Sequence, residues 1–307
     1  MPPDARLTRE ISYADGAATR GGRAVVRAIE NATGRLSLIR RARGYEREVA
    51  AGRDFWEVVC ARYGVGLDLR GGSLDLIPRE GPLVVVANHP YGILDGLTMG
   101  RILAARRGTG FRILAHRVFR RAPELERVVL PVSFDETPEA LALNLQTRRE
   151  ALDVLGGGGA IGIFPGGTVS TATRPFGPPR DPVWRTFTAR LVAKGGATVV
   201  PLFFHGHNSR LFQVASHVHG TLRLGMLIRE FRARTGTPVG VTIGEPLLPE
   251  RLAPLAADAK ALMDFLRRAT YDLSPEPMGD ALGHEFERRW RDGGGDLRQR
   301  LGRPHGP

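Results

Sequence analysis

The sequence predicts an α/β domain in which a central mixed sheet is flanked by helices, with a helical extension at its N-terminal side. Two observations carry that prediction. Short runs rich in Val, Ile and Leu alternate with stretches long enough for helices along residues 76–272, which is the signature of a layered α/β sheet. Gly and Pro mark most of the changes from one type to the other, as chain turns require.

Taken in order, residues 1–75 form a basic helical region. Val25, Val26, Ile29, Leu36, Leu38 and Ile39 are interleaved with Arg20, Arg23, Arg27, Arg35, Arg40 and Arg41, an imperfect amphipathic pattern. It suits a helix packed on the main domain or one resting on an anionic bilayer. Leu83–Ala87 is a buried strand, followed by a loop and a helix near Leu94–Arg107. Val128–Phe134 is a second strand. Thr137, Pro138 and Glu139 supply an N-cap, a first-turn proline and an early acid for a helix that stops at Gly156–Gly159. Then come a strand at Ala160–Phe164, a helix at Arg185–Lys194 closed by two glycines, and a strand at Thr198–Phe204. A helix at Thr221–Arg234, a strand at Val239–Ile243 and a helix at Ala256–Tyr271 complete the series. Residues 273–307 turn to Pro, Gly and charge and are expected to form a C-terminal helix and partly flexible tail.

The 307 residues, 42% hydrophobic and 25% charged, can bury a large core, which excludes intrinsic disorder. Cys60 stands alone, so no internal disulfide is possible and a reducing compartment is expected. No window holds the run of about 18 apolar residues that a membrane span needs. The net charge is +12, and of 44 basic residues only Lys194 and Lys260 are lysines. An arginine surplus of that size favours an anionic partner, a membrane surface or nucleic acid. No recognisable nucleic-acid-binding signature accompanies it, so no nucleic acid is expected.

Three segments carry chemistry. Asn88-His89-Pro90-Tyr91-Gly92-Ile93-Leu94-Asp95 follows a buried strand, where open α/β sheets bind ligands, and a His with a nearby carboxylate can act as a general base with its orienter. Five residues separate His89 from Asp95, so pairing requires a non-helical turn at Pro90–Gly92. Phe164-Pro165-Gly166-Gly167-Thr168-Val169-Ser170 is a Gly-rich loop whose amides can approach an anion, without the Lys and Ser/Thr of a nucleotide P-loop. Val200-Pro201 and His205-Gly206-His207-Asn208-Ser209-Arg210-Leu211-Phe212 run from a strand into polar side chains.

In this order the segments resemble the glycerolipid acyltransferases, the group that includes 1-acylglycerol-3-phosphate acyltransferases. The likeness is nearest to a bacterial branch grouped with ornithine-lipid synthesis and so-called hemolysins, and covers about residues 76–250. That family has a His-plus-Asp motif, a Phe-Pro-Glu-Gly-Thr-Arg-Ser motif and a Val-Pro strand. Here Gly166 stands for the motif's Glu and Val169 for its Arg, two positions tied to a glycerol-phosphate acceptor. No equivalent of the family's further Gly-to-Arg acceptor motif stands near Pro131–Phe134.

The resemblance implies acyl transfer from an acyl carrier protein or coenzyme A thioester to a hydroxyl or amine of a lyso-lipid, with no cofactor and no metal. It implies His89 and Asp95 as catalytic, and Gly166, Gly167, Thr168, Ser170, Asn208 and Arg210 as substrate-binding. Arg117, Arg174 and Arg210 are candidates for the headgroup or else ordinary surface arginines, and Tyr91, Ile93, Leu94 and Phe119 are candidates for the acyl groove or equally ordinary core. The expected place is the cytoplasmic face of the inner membrane, peripheral, on an anionic surface. Two other classes compete: a basic membrane- or nucleic-acid-binding protein without catalysis, and an enzyme with a metal site at His205, His207, His217 and His219. A serine hydrolase is disfavoured because the chain has no Gly-x-Ser-x-Gly elbow.

Overall fold

The computed structural model describes residues 12–17, 19–116, 123–133, 137–277 and 279–286. Seven strands form one sheet: β1 Leu67–Gly71, β2 Leu83–Ala87, β3 Phe111–His116, β4 Val129–Val132, β5 Ala160–Ile163, β6 Thr198–Phe204 and β7 Val239–Ile243. Their order across the sheet is β1-β7-β6-β2-β5-β3-β4. Neighbours are parallel except β6 and β7, which run antiparallel. The sheet is therefore mixed, as expected.

The helices are α1 Arg20–Thr33, α2 Arg35–Ala42, α3 Tyr45–Ala50, α4 Phe55–Tyr63, α5 Ile93–Arg107, α6 Pro123–Glu126, α7 Pro138–Gly156, α8 Phe187–Gly195, α9 Arg210–Val218, α10 Gly220–Arg234, α11 Pro249–Leu252 and α12 Ala259–Tyr271. They cover both faces. All five residues of β2 are buried, and its alternation splits the core in two. Leu83, Val85 and Ala87 join Val58, Leu94, Met99 and Ile228 on the α4, α5 and α10 side. Val84 and Val86 join Leu155, Leu191 and Leu266 on the α7, α8 and α12 side. Successive strand residues face opposite ways, so a strand covered on both sides reads as an unbroken apolar run. Each such buried side chain contributes on the order of 1.5–3 kcal/mol.

Several boundaries follow local chemistry. Thr137 caps α7 by accepting from the Ala140 N–H, and Asp258 caps α12 by accepting from Lys260 and Ala261. The expected Val128–Phe134 strand shortens to Val129–Val132, and Phe134 lies outside the described residues. Five elements were not expected: β1, β3, α9 and the short helices α6 and α11. The Leu-Asp-Leu-Arg-Gly of β1 is half-exposed at the sheet edge, so it lacks the apolar run of a central strand. The described part of the N-terminal region is helical through α4 and docked, with α1 packed along α10, but β1 joins the central sheet, so the expected helical stretch to residue 75 ends earlier.

The segment after α12 is also tied down. Gly283 donates its N–H to the Asp181 carbonyl and His284 to the Thr171 carbonyl, both at 2.8 Å. The Arg185 guanidinium meets the Glu285 carboxylate through two nitrogens, at 2.8 and 2.9 Å. No helix among the described residues is long and apolar enough to cross a membrane.

Candidate active site

The three central parallel strands β5, β2 and β6 end at the same edge of the sheet. Their carboxyl ends deliver His89, the Phe164–Ser170 loop and the His205–Arg210 segment to one region, the usual ligand side of an open α/β sheet. Asn88 fixes the first of these. Its amide nitrogen donates to the Phe204 carbonyl at 2.9 Å and its oxygen accepts from the Phe204 N–H at 2.7 Å, clasping the end of β2 to β6.

Pro90-Tyr91-Gly92 then turns the chain. Gly92 has φ +89°, a conformation L side chains rarely adopt, and α5 begins at the next residue. Asp95, in the first turn of α5, accepts the Tyr91 N–H at 2.8 Å and the Gly92 N–H at 2.9 Å through Oδ2. That arrangement closes the helix start as the acid of a capping box does. The same Oδ2 lies 2.9 Å from His89 Nδ1. This pair is a close contact and not an aligned hydrogen bond, a looseness common in sites without substrate. Asp95 is fully buried, whereas the His89 side chain keeps 18% exposure. The turn thus brings the two together across the five intervening residues.

The imidazole stacks on Phe164, with ring centroids 4.2 Å apart and planes 26° from parallel. From Phe164 the Gly-rich loop leaves β5, makes a turn closed by Gly167 N–H to the Phe164 carbonyl at 3.0 Å, and returns to donate the Ser170 N–H to the His89 carbonyl at 2.8 Å. The loop is therefore wrapped around His89. Gly166, Gly167, Thr168 and Ser170 all belong to it, and Gly167 has φ +70°.

Two charged residues that the sequence did not single out hold this loop. Asp181 is fully buried. Its carboxylate accepts from Ser170 Oγ, from Trp184 Nε1 at 2.9 Å and from the His89 N–H at 3.2 Å. Its own N–H donates to the Tyr271 hydroxyl at 2.8 Å. Burial holds its carboxyl above the usual carboxylate range, against those hydrogen bonds. The carboxyl group packs so close to Gly166 that a Cβ there would sit 3.2 Å from it. Arg223 of α10 donates to the Thr168 hydroxyl at 2.8 Å and to the Val169 carbonyl at 2.9 Å. An acid thus stands against Gly166 and a guanidinium against Val169, the two places where the resembling motif has Glu and Arg.

Tyr13 approaches from the N-terminal segment. It packs on Val169, Phe212 and Leu227, its oxygen takes the Ile93 N–H, and burial beside Asp95 and Glu30 pushes its hydroxyl well up. Glu30 of α1 anchors that segment by accepting from Ser12 Oγ and the Tyr13 N–H, both at 2.6 Å. No periodicity announces Tyr13, Asp181 or Arg223 in the sequence; Arg223 reaches Thr171 across 52 residues and Asp181 reaches the His89 N–H across 92.

Other expected residues are engaged differently. Asn208 is fully buried at the end of the third segment, with neither amide atom hydrogen-bonded. Arg210 is exposed and donates to the Phe176 and Gly177 carbonyls at 2.8 and 3.0 Å, so it braces a neighbouring loop. Arg174 is exposed. Tyr91 and Leu94 belong to the core instead of lining an open groove. The Tyr91 hydroxyl donates to the His205 carbonyl at 2.7 Å, and Gly206 must lack a side chain because a Cβ would meet that hydroxyl at 2.0 Å. Ile93 packs against the same core. Arg117 and Phe119 lie outside the described residues.

The four histidines do not assemble a metal site. His205 bonds Thr242 at 2.7 Å, His207 the Asn208 carbonyl at 2.8 Å and His217 the Ala172 carbonyl at 2.9 Å, while His219 accepts from the Thr221 N–H. Among the described residues no three His, Cys, Asp or Glu side chains gather as metal ligands. The sequence spacing placed them near one another along the chain, but one nitrogen of each ring is engaged with a separate partner.

Parts of the chain are similar to known proteins. Residues 72–205 match the family model described as Acyltransferase, a span that contains β2, β5, β6, His89, Asp95 and the Gly-rich loop. A lyso-glycine lipid O-acyltransferase from Phocaeicola vulgatus is 26% identical over 203 residues, covering 64% of this chain and 69% of that protein. The crystal structure of the 1-acyl-sn-glycerophosphate acyltransferase PlsC from Thermotoga maritima aligns over 86% of both chains, with 17% identity and a TM-score of 0.45. The matched segment is built around a histidine beside a buried carboxylate and the loop that encloses it, and there the chain is similar to the acyltransferase family.

Proposed function

We propose that this enzyme moves a fatty acyl group from an acyl carrier protein or coenzyme A thioester to the hydroxyl of a lyso-lipid, with His89 as general base. One observation carries the reading: a partly exposed imidazole whose Nδ1 lies 2.9 Å from a fully buried carboxylate, at the ligand edge of the sheet. Asp95 faces Nδ1, a contact that aligns into a hydrogen bond when substrate is bound, and leaves Nε2 to take a proton. As the acceptor oxygen attacks the thioester carbon, its proton passes to Nε2. The carbon–oxygen bond forms, the carbon–sulfur bond breaks, and the thiolate leaves with the proton that His89 returns. Base help of this type contributes about 10² to 10⁴ in rate. A thioester is already activated, so the scheme needs no covalent enzyme intermediate. Backbone amides of Gly166–Thr168 are placed to steady developing negative charge.

The lyso-glycine lipid acceptor named for the Phocaeicola relative supports a lyso-lipid substrate here. A peripheral position on the anionic cytoplasmic face of the inner membrane is supported by the exposed arginines Arg20, Arg23, Arg40 and Arg41, which flank the exposed Val25 and Leu36. Each such cation near an anionic surface contributes on the order of 1 kcal/mol.

The test is thiol release by the purified protein with acyl carrier protein and coenzyme A thioesters, each paired with lysophosphatidic acid, lyso-glycine lipid and lyso-ornithine lipid. Acceptor-dependent release that is lost in His89→Ala is expected. Equal release by that variant removes His89 from the chemistry.

A further inference from the structure

Three buried polar atoms close to the start of α5 have no hydrogen-bond partner among the described residues: His89 Nδ1, Asp95 Oδ1 and Thr98 Oγ1. Buried polar atoms are nearly always paired, because one left without a partner forfeits its hydration. Asp95 also uses its two oxygens unevenly. Oδ2 accepts from Tyr91 and Gly92 and faces His89 Nδ1 at 2.9 Å, whereas Oδ1 receives nothing although the side chain is fully buried.

Thr98 stands three residues after Asp95 in α5 and is 2% exposed. Residues three apart lie one above the other on a helix, and their side chains tilt toward its N-terminus, so Thr98 leans over Asp95. A hydroxyl inside a helix ordinarily returns to the carbonyl four residues back. Thr33 does so to Ile29, Ser216 to Phe212 and Thr270 to Leu266, at 2.8, 2.7 and 2.9 Å. Thr98 makes no such bond. The titratable groups around the pair have other duties. Tyr13 takes the Ile93 N–H and Tyr91 bonds the His205 carbonyl, and burial keeps both phenols protonated. Asp181 is held by Ser170 and Trp184, and Arg223 by Thr168 and Thr171.

One small movement pairs all three atoms. A carboxyl group turns easily about its Cβ–Cγ bond, a broad and soft torsion. Such a turn aligns Oδ2 with His89 Nδ1–H and carries Oδ1 to the Thr98 hydroxyl. We infer that Thr98 is a positioning residue for the acyl-transfer step: its hydroxyl donates to Asp95 Oδ1, fixes the carboxylate plane, and so holds His89 with Nε2 turned to the acceptor. This rests on the reading of His89 as general base and deepens it by naming what orients the orienting carboxylate. Thr98 touches no substrate.

The experiment measures thiol release from about pH 5 to 9, where a histidine titrates, beside thermal melts. It compares wild type, Thr98→Val, Thr98→Ser, Asp95→Asn and the Asp95→Asn, Thr98→Val double variant. Thr98→Val keeps the shape and removes the donor. Its kcat falls roughly three- to tenfold while the KM values of donor and acceptor stay near wild type. The apparent pKa of the base in kcat/KM rises, because a carboxylate relieved of a donor attracts the imidazolium more strongly. Thr98→Ser restores both. Coupled residues are not additive, so in the Asp95→Asn background Thr98→Val costs less than about twofold more.

Wild-type kcat and pH profile in Thr98→Val overturn the proposal, and a raised Tm would then mark a hydroxyl that is buried without a task. Equal losses in the Val and Ser variants with a lowered Tm also overturn it, as would a full further loss in the Asp95→Asn background. If wild type releases no thiol with any pair, the acyl-transfer reading fails separately. NMR titration of the His89 imidazole then tests the coupling: a pKa raised in Thr98→Val and restored in Thr98→Ser supports it, and an unchanged pKa overturns it.

Discussion

Two loops meet at the His89 imidazole, and they are built in opposite ways. The His89–Asp95 turn is nearly self-sufficient: Asp95 reaches back to Tyr91 and Gly92, four and three residues away, and the start of α5 is part of the same unit. The Phe164–Ser170 loop owns almost none of its support. Its acid comes from Asp181, its cation from Arg223 and its packing from Tyr13. A local site tolerates change far away, whereas a site assembled from distant segments transmits any loosening of those segments to the chemistry.

The sharpest break in that contrast is His89→Ala, which lowers thiol release by about 10² to 10⁴ while leaving the turn intact. Steady-state rates beside a thermal melt separate the two effects. Asp181→Ala tests the borrowed half. It leaves the buried Ser170 hydroxyl, Trp184 N–H and His89 N–H without their acceptor, at about 1–3 kcal/mol per buried group, and a loss of about 3 kcal/mol lowers Tm by roughly 5–10 °C.

The same carboxyl gives a pH signature. Burial raises its folded pKa above the unfolded value, so the folded chain binds the proton more tightly. Stability from this group is greatest at acid pH and falls as pH rises from the unfolded value, about 3.9, through the raised one. Asp181→Asn removes that slope, and denaturant melts of both proteins across that range show whether the curves diverge.

Asp95→Asn is milder. The amide oxygen still accepts from Tyr91 and Gly92, while the negative charge beside His89 is lost, so activity falls about tenfold with little change in Tm. Smallest is Arg210→Ala. An exposed side chain bonded to two loop carbonyls changes stability by about 0.5 kcal/mol or less, and thiol release stays within about twofold of wild type.

What could be read from sequence follows the same division. The β2 run Leu83–Ala87, the Thr137-Pro138-Glu139 helix start and the His89–Asp95 turn are local patterns, and the structure places each at or within a residue of its expected position. β1 escaped because an edge strand is half-exposed and carries no apolar run. α9 escaped because the polar residues before it drew attention to its cap at Ser209 and away from the helix behind. Asp181 sits in the Pro-rich stretch Pro178–Val183 and Arg223 among many arginines, so neither residue type stands out until the fold brings it to the loop. The histidine pairs show the converse: close spacing in sequence drew a metal reading that local hydrogen bonds dissolve.

One consequence concerns the order in which the enzyme comes into being. The sheet and the His89 turn are complete once β7 has been made, but Gly283 and Phe286 close the back of the loop and cover the Arg223 guanidinium. During synthesis, domains generally form from their N-terminal side first. A nascent chain that has not yet reached Gly283 therefore carries the histidine and its carboxylate in place while the Asp181 carbonyl lacks its partner and Arg223 lacks the Phe286 ring. Gly283–Phe286, made after the described strands and helices, act as the fastener of the site, so a chain released short of them is made with its base in position and its loop unsecured.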